Sequence, residues 1–355
     1  MVVADHGLVV LPSRLALTTN SLASSFDRVC RPAVYAFQCS STVHRRASVS
    51  EPEVFWYDVR SIYHRRVFGK GASVANAAIK FLVFDSESVS DGSLISRVRY
   101  PGAGLSAAEA VTRYRAELVE TTGSDFVPYT YQIPVSLVVA KVAGDYSLLD
   151  IGALDDPEFR PHVITDRFWR GWEAYRYPTL VSFNGRSFDV PLLELAAFRF
   201  GLSSPAWFNI TDKNWEQNRS RYNTGAHLDL HDLLTNFGAT RFNGGLNLAA
   251  NLLGKPGKMD VQGDMVQDMY NDGRLAEIND YCRCDVLDTY FVFLRVAVLL
   301  GRLPLSREQE LVAATKDWIA ERADQCPAYA RYLAGWGDWE NPWQDAGDVP
   351  AVKPA

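Results

Sequence analysis

Short apolar runs that end in acids or in a glycine turn, interleaved with helical patterns, set the frame for this sequence. In KFLVFDSES (80–88), Phe81 to Phe84 lead into Asp85, Glu87 and serines. This pattern reads as a buried strand delivering polar side chains at its carboxyl end. YQIPVSLVVAKV (131–142) and YSLLDIG (146–152), parted by Gly144-Asp145, read as a two-stranded hairpin. PTLVSFNG (178–185) is another strand, and AHLDL (226–230) a short one running into the helix DLLTNFG. Among the helices, Ser106 and Glu109 form a capping box that opens one through about Glu120. Thr165 or Asp166 caps a second through FWRGWEAYR (168–176), and FDVPLLELAAFRFG (188–201) is a third that ends at a glycine. A long helix covers about 274–301, and Ser306 with Gln309 starts another through about Arg322. Strands, then alternating strand and helix, then terminal helices predict an α/β fold: a mixed sheet with helices on both faces.

Composition removes several classes. No stretch approaches the ~18 uninterrupted apolar residues of a membrane span, and the most apolar window, FVFLRVAVLL (291–300), carries Arg295. The net charge of −6 argues against broad electrostatic adhesion to nucleic acid or anionic lipid, while leaving room for a local basic groove. Five cysteines (Cys30, Cys39, Cys282, Cys284, Cys326) at irregular spacing give neither a disulfide framework nor a paired-cysteine zinc site, and they fit a reducing compartment. The first 50 residues hold five arginines, no Glu or Lys, and only Asp5 and Asp27 as acids. That is the composition of an organellar transit peptide, though an unstructured extension or an early start codon gives it equally. A cytoplasmic location is expected, with organellar targeting as the alternative.

Asp85 and Glu87 lie two apart on a strand, so both carboxylates face one side. Two anions in one poorly solvated pocket are costly unless a cation neutralises them, and hard oxygen donors suit Mg²⁺ or Mn²⁺. Asp189, in NGRSFDVPLL (184–193), stands where a strand breaks and a helix begins. It reads either as a capping acid or as a group aimed at the carboxyl edge of the sheet, where α/β sites form. Tyr281 and Asp285, in NDYCRCDVLDTY (279–290), are four apart on a helix, about 40° around its axis, and share a face. Asp288 shares that face and rivals Asp285. Asp280 and Asp229 are weaker rivals.

The ordered series FDSES, N-x3-F-D and Y-x3-D resembles the three motifs of the DEDD superfamily of 3′–5′ exonucleases. It is most similar to predicted stand-alone exonucleases related to the proofreading domain of family B DNA polymerases. The resemblance covers roughly residues 79–302, including HLDLHDLL (227–234) and LLGKPGKMD (252–260). The histidine subtype requires H-x4-D, but Asp280 precedes Asp285 and Arg283 precedes Asp288 at that spacing. Only Tyr281-x3-Asp285 satisfies either rule, so the tyrosine subtype, DEDDy, is expected and Asp288 is demoted.

The resemblance implies an RNase H-like fold with two divalent ions, Mg²⁺ or Mn²⁺. Asp85 would bridge both ions, Glu87 and Asp285 would complete the one that carries the attacking water, and Asp189 would act on the second. The phenol of Tyr281 would orient the water. Ser88 matches a position near the terminal 3′-hydroxyl, Phe188 offers a face for stacking a base or is a core aromatic, and Asn184 shapes the turn or contacts substrate. Arg186, Arg219, Arg221, Lys255 and Lys258 are candidates for backbone contacts, with Lys255 and Lys258 foremost. The implied reaction is removal of nucleoside 5′-monophosphates from the 3′ end of single-stranded or frayed DNA. Rival readings are RNA as substrate, or a silent nucleic-acid-binding module. The expected organisation is an extension at 1–78, the exonuclease domain at 79–302, a helical appendage at 303–335 and a tail at 336–355. That length leaves no room for a polymerase, so action in trans is expected, in repair, replication support or nucleotide scavenging.

Overall fold

The computed structural model describes residues 78–258 and 265–343, so the targeting question at the N-terminus lies outside the described residues. Five strands form one sheet: β1 (Ile79–Ser90), β2 (Gln132–Ala143), β3 (Leu148–Ala153), β4 (Thr179–Ser182) and β5 (His227–Asp229), in the order β3-β2-β1-β4-β5. β1, β2 and β3 pair antiparallel, whereas β4 runs parallel to both β1 and β5. The helices are α1 (Gly92–Arg99), α2 (Ala107–Thr122), α3 (Pro161–Ala174), α4 (Asp189–Phe200), α5 (Leu230–Leu234), α6 (Gly245–Asn251), α7 (Val266–Asn271), α8 (Leu275–Leu299), α9 (Leu305–Ala320) and α10 (Pro327–Ala334). None of them is long and apolar enough to cross a membrane.

Strand alternation divides β1 between two helical layers. Phe81 points to α8, with its ring 5.0 Å from Phe293, and Phe84 points to α3, 5.1 Å from Phe168. Both faces are covered, which is why Phe81 to Phe84 are all buried and read as a continuous apolar run. α9 and α10 add Leu311, Ile319, Tyr329 and Tyr332 to the same core as the sheet. Three antiparallel strands extended by two parallel ones, with helices on both faces, make an α/β, RNase H-like architecture.

Several elements differ from the sequence expectation. α3 starts at Pro161 rather than at Thr165, because proline is preorganised for a first helical position, and Thr165 instead bonds back to the Pro161 carbonyl at 2.7 Å within the helix. α9 begins at Leu305 without a side-chain cap from Ser306. α1, α6 and α7, none longer than eight residues, are not predicted from the sequence, whereas α10 falls within the stretch 303–335 expected to be helical. The capping box at Ser106 and Glu109 is present.

Candidate metal centre

The parallel pairing of β1 and β4 ends at Val83–Val181, so Asp85 stands just beyond it at the carboxyl edge. The chain leaving β4 turns at the same edge and enters α4 at Asp189. Asp229, at the end of β5, shapes that turn: its carboxylate accepts from the backbone N–H of Asn184 (2.9 Å) and Arg186 (2.8 Å), and also from His231 (3.0 Å). Asn184 takes a left-handed φ of 64°, so it shapes the turn as one of its two readings expects. A Cβ on Gly185 would fall 2.4 Å from Ser182 Oγ and 3.2 Å from Asp189 Oδ2, so glycine is required there. Ser86 then fixes Asp189, donating from its backbone N–H at 3.1 Å and from its hydroxyl to the same oxygen.

α8 supplies the third side of the centre. Tyr281 is buried among Val89, Val135, Val266, Met269 and Ile278, and its hydroxyl donates to Asp285 one turn on. Cys282, fully buried, donates from its Sγ to the Asp85 carbonyl at 3.2 Å and lies 3.6 Å from Asp85 Oδ2. Across from Glu87 in the ladder, Ser136 donates to Asn279 at 2.6 Å and ties α8 to β2.

Asp85, Glu87, Asp189 and Asp285 converge. Their charges bear on one another: Asp85 is raised by Asp189, Asp285 and Glu87; Glu87 by Asp285 and Asp189; and Asp285 by Asp189. Burial first, and these repulsions second, hold Asp85 and Glu87 well above the usual carboxylate range. Burial pushes Asp189 and Asp285 up to about 6, against the hydrogen bonds from Ser86 and Tyr281. The Tyr281 phenol and the Cys282 thiol are raised, again by burial and then by Asp285 and Asp85 respectively. Lys258 opposes the accumulated charge, lowering both Glu87 and Asp285. Its backbone N–H is held by Asn247 of α6 at 2.9 Å. Four carboxylates against one lysine, in a poorly hydrated edge of a sheet, form a donor set that fits divalent cations. Asp85, Glu87 and Cys282 bring ligand atoms within 4.8 Å of one another.

Other candidates lie elsewhere. Lys255 does not join the centre: it is 4% exposed, its Nζ donates to the Gly337 carbonyl at 3.1 Å and sits 4.0 Å over the Trp336 ring. Burial lowers its pKa to about 8, and an ammonium enclosed by the C-terminal segment is not offered to a phosphate backbone. Arg186 is bound to Asp232 at 2.9 Å and to the His227 carbonyl, Arg219 to Glu194 at 2.7 Å, and Arg221 lies 3.9 Å from Asp232. These arginines brace loops. The Ser88 hydroxyl donates to Gln132 beside the centre. Phe188 is half-buried with its ring 5.8 Å from Phe126, an aromatic the sequence had not singled out, which is 59% exposed. Asp288 is enclosed in the core, where it accepts from Tyr332 at 2.6 Å, and Asp280 pairs with Arg331 at 3.3 Å. Neither rival reaches the cluster. Neither Ser86 nor Cys282 is marked as a site residue by the sequence patterns. Strand alternation held the signal for Ser86, which points away from Asp85 and Glu87 toward the segment after β4.

No curated protein matches the chain. A family model described as a predicted 3′–5′ exonuclease related to the exonuclease domain of PolB matches residues 124–336. The match begins after β1, so Asp85 and Glu87 lie outside it, and it runs past residue 302 through α9 and α10. With more than half its length matched, on a sheet of RNase H-like order, the chain belongs to that family of predicted 3′–5′ exonucleases.

Proposed function

We propose that this protein is a metal-dependent 3′–5′ exonuclease of the tyrosine type, which hydrolyses terminal phosphodiesters of single-stranded or frayed DNA to nucleoside 5′-monophosphates. The reading rests chiefly on the meeting of four carboxylates from three separate segments beside a tyrosine. Asp85, Glu87, Asp189 and Asp285 would hold two divalent ions, Mg²⁺ or Mn²⁺. Such ions supply the charge that offsets anionic phosphoryl oxygens and make a water acidic enough to attack near neutral pH.

The remaining work falls to this chain's own groups. Tyr281 stays protonated, its pKa raised by burial and by Asp285, so its hydroxyl is a donor that can orient an attacking water. Asp189 is oriented by Ser86, whose backbone N–H and hydroxyl both donate to one oxygen of its carboxylate. Lys258 places a positive charge beside Glu87 and Asp285, where the anionic backbone of a strand must approach. Phe188 and Phe126 present neighbouring ring faces on which a terminal base can stack whatever its identity. Sequence-tolerant digestion follows from that kind of contact.

The test compares wild type, Asp85→Ala and Tyr281→Phe on 3′-labelled DNA and RNA strands, with Mg²⁺ and with Mn²⁺. Asp85→Ala is expected to lose nearly all turnover. Tyr281→Phe should lose part of it, about 100-fold in kcat, the low end of what a positioned proton-handling group contributes. DNA should be degraded faster than RNA. Equal turnover by the three proteins would refute the site assignment, and faster cleavage of RNA would refute the substrate.

A further inference from the structure

We propose that Cys282 is a sulfur ligand within the acidic centre, and that with Asp85 and Glu87 it forms a mixed oxygen–sulfur position that takes a thiophilic divalent ion, Zn²⁺ above all. This rests on the reading of the centre as a metal site. Among the described residues, these three form the set of His, Cys, Asp and Glu side chains whose ligand atoms lie within reach of one ion. Cys282 Sγ is 3.6 Å from Asp85 Oδ2. For an ion about 2.3 Å from sulfur and about 2.0 Å from oxygen, a tetrahedral angle sets the two donors about 3.5 Å apart. The hydrogen bond from Cys282 Sγ to Asp85 Oδ2 already sets the two donors at about that separation, so an ion replacing the shared proton needs little movement.

The position is also built rigidly. Cys282 is fully buried on α8, between Tyr281 and Asp285, and its Sγ is held against β1 by the Asp85 carbonyl at 3.2 Å. Mg²⁺ keeps an all-oxygen octahedral shell and leaves the thiol as a hydrogen-bond donor to that carbonyl. Zn²⁺ accepts sulfur, and it binds nitrogen, oxygen and sulfur sites more tightly than Mn²⁺ does. On binding, the S–H bond breaks, the proton passes to solvent and an S–Zn bond forms, with no change of oxidation state. The carboxylates of Asp85 and Glu87 are then shared with sulfur, so Zn²⁺ would antagonise activity supported by Mg²⁺.

Co²⁺ is the probe, titrated into metal-free full-length wild type, Cys282→Ser, Cys282→Ala and Cys284→Ser, with folding of each followed by circular dichroism. Wild type and Cys284→Ser should develop the near-ultraviolet sulfur-to-Co²⁺ charge-transfer band, and Zn²⁺ should bleach it. Both Cys282 variants should lack the band, and the Zn²⁺ affinity read by competition should fall at least about tenfold. Wild type without the band, or Cys282→Ser retaining it, overturns the proposal. Strand hydrolysis in Mg²⁺ is scored separately. Its absence together with a Co²⁺ band would sink the nuclease reading and leave the sulfur ligand, and the converse result would sink the ligand alone.

Discussion

Asp189 reaches the cluster through a neighbour that carries no charge. Ser86 stands between the two acids of β1 and binds the Asp189 carboxylate from both its backbone and its hydroxyl. Groups that orient a ligand generally change metal affinity about 10- to 100-fold when removed. Ser86→Ala should therefore raise the Mg²⁺ concentration for half-maximal activity at least about tenfold, with kcat largely recovered at saturating Mg²⁺; an unchanged Mg²⁺ requirement would count against this role. At this scale, spacing set Asp85 beside Glu87 and Tyr281 beside Asp285 on shared faces, but it left Asp288 a rival and Asp189 a possible capping acid, and the resemblance to the exonuclease motifs chose among them. Ser86, Cys282 and Phe126 were not legible, since each acts through a partner that is distant in sequence. Lys255 misled for the same reason. A lysine in a Gly/Pro turn looks exposed until Trp336 and Gly337 are folded over it.

The 254–258 loop links the C-terminal segment to the centre. Gly337 donates to the Gly254 carbonyl at 2.8 Å, Lys255 donates to Gly337, and at the other end of the loop Asn247 holds Lys258. Gly254 has a φ of 67°, and a Cβ there would lie 2.9 Å from the Asp338 carbonyl carbon, so both the backbone and the packing demand glycine. Gly254→Ala should loosen the loop and reduce activity by the route that Lys258→Met uses. A double variant that loses no more than Lys258→Met alone bears this out, and fully multiplicative losses would contradict it. Long elements with a clear period, such as β1, β2 and α8, were legible in the sequence. The short helices α1, α6 and α7 were not, because one or two turns carry too little periodicity and are held by tertiary packing.

Stability should report the charge of the centre over the whole molecule. Asp189 and Asp285 are raised to about 6 and Asp288 to about 8, with burial the first cause in each. A carboxyl raised on folding gives stability that is complete below its unfolded pKa near 4 and is lost as pH climbs through the folded value. In EDTA the melting temperature should thus fall between about pH 4 and pH 8. Divalent ions reverse the part due to the cluster: at about 100 times Kd an ion adds about 2.7 kcal/mol, or about 5–10 °C. Mn²⁺ should therefore raise the melting temperature at pH 7.5 and scarcely at pH 4.5, where protons hold the same oxygens. A shift independent of pH would place the ion elsewhere. The fold class was readable because the order of strand and helix patterns restricts how layers can be stacked, whereas the enclosure of Asp288 by α10 depends on Tyr332, 44 residues away.

The most direct test of the central claim is the stoichiometry of Mn²⁺ binding to the full-length protein, counted by electron paramagnetic resonance. Two ions per chain are expected for wild type, with Asp85→Asn losing affinity for both and Asp189→Asn chiefly for one. Two ions retained at unchanged affinity in Asp85→Asn would contradict the account.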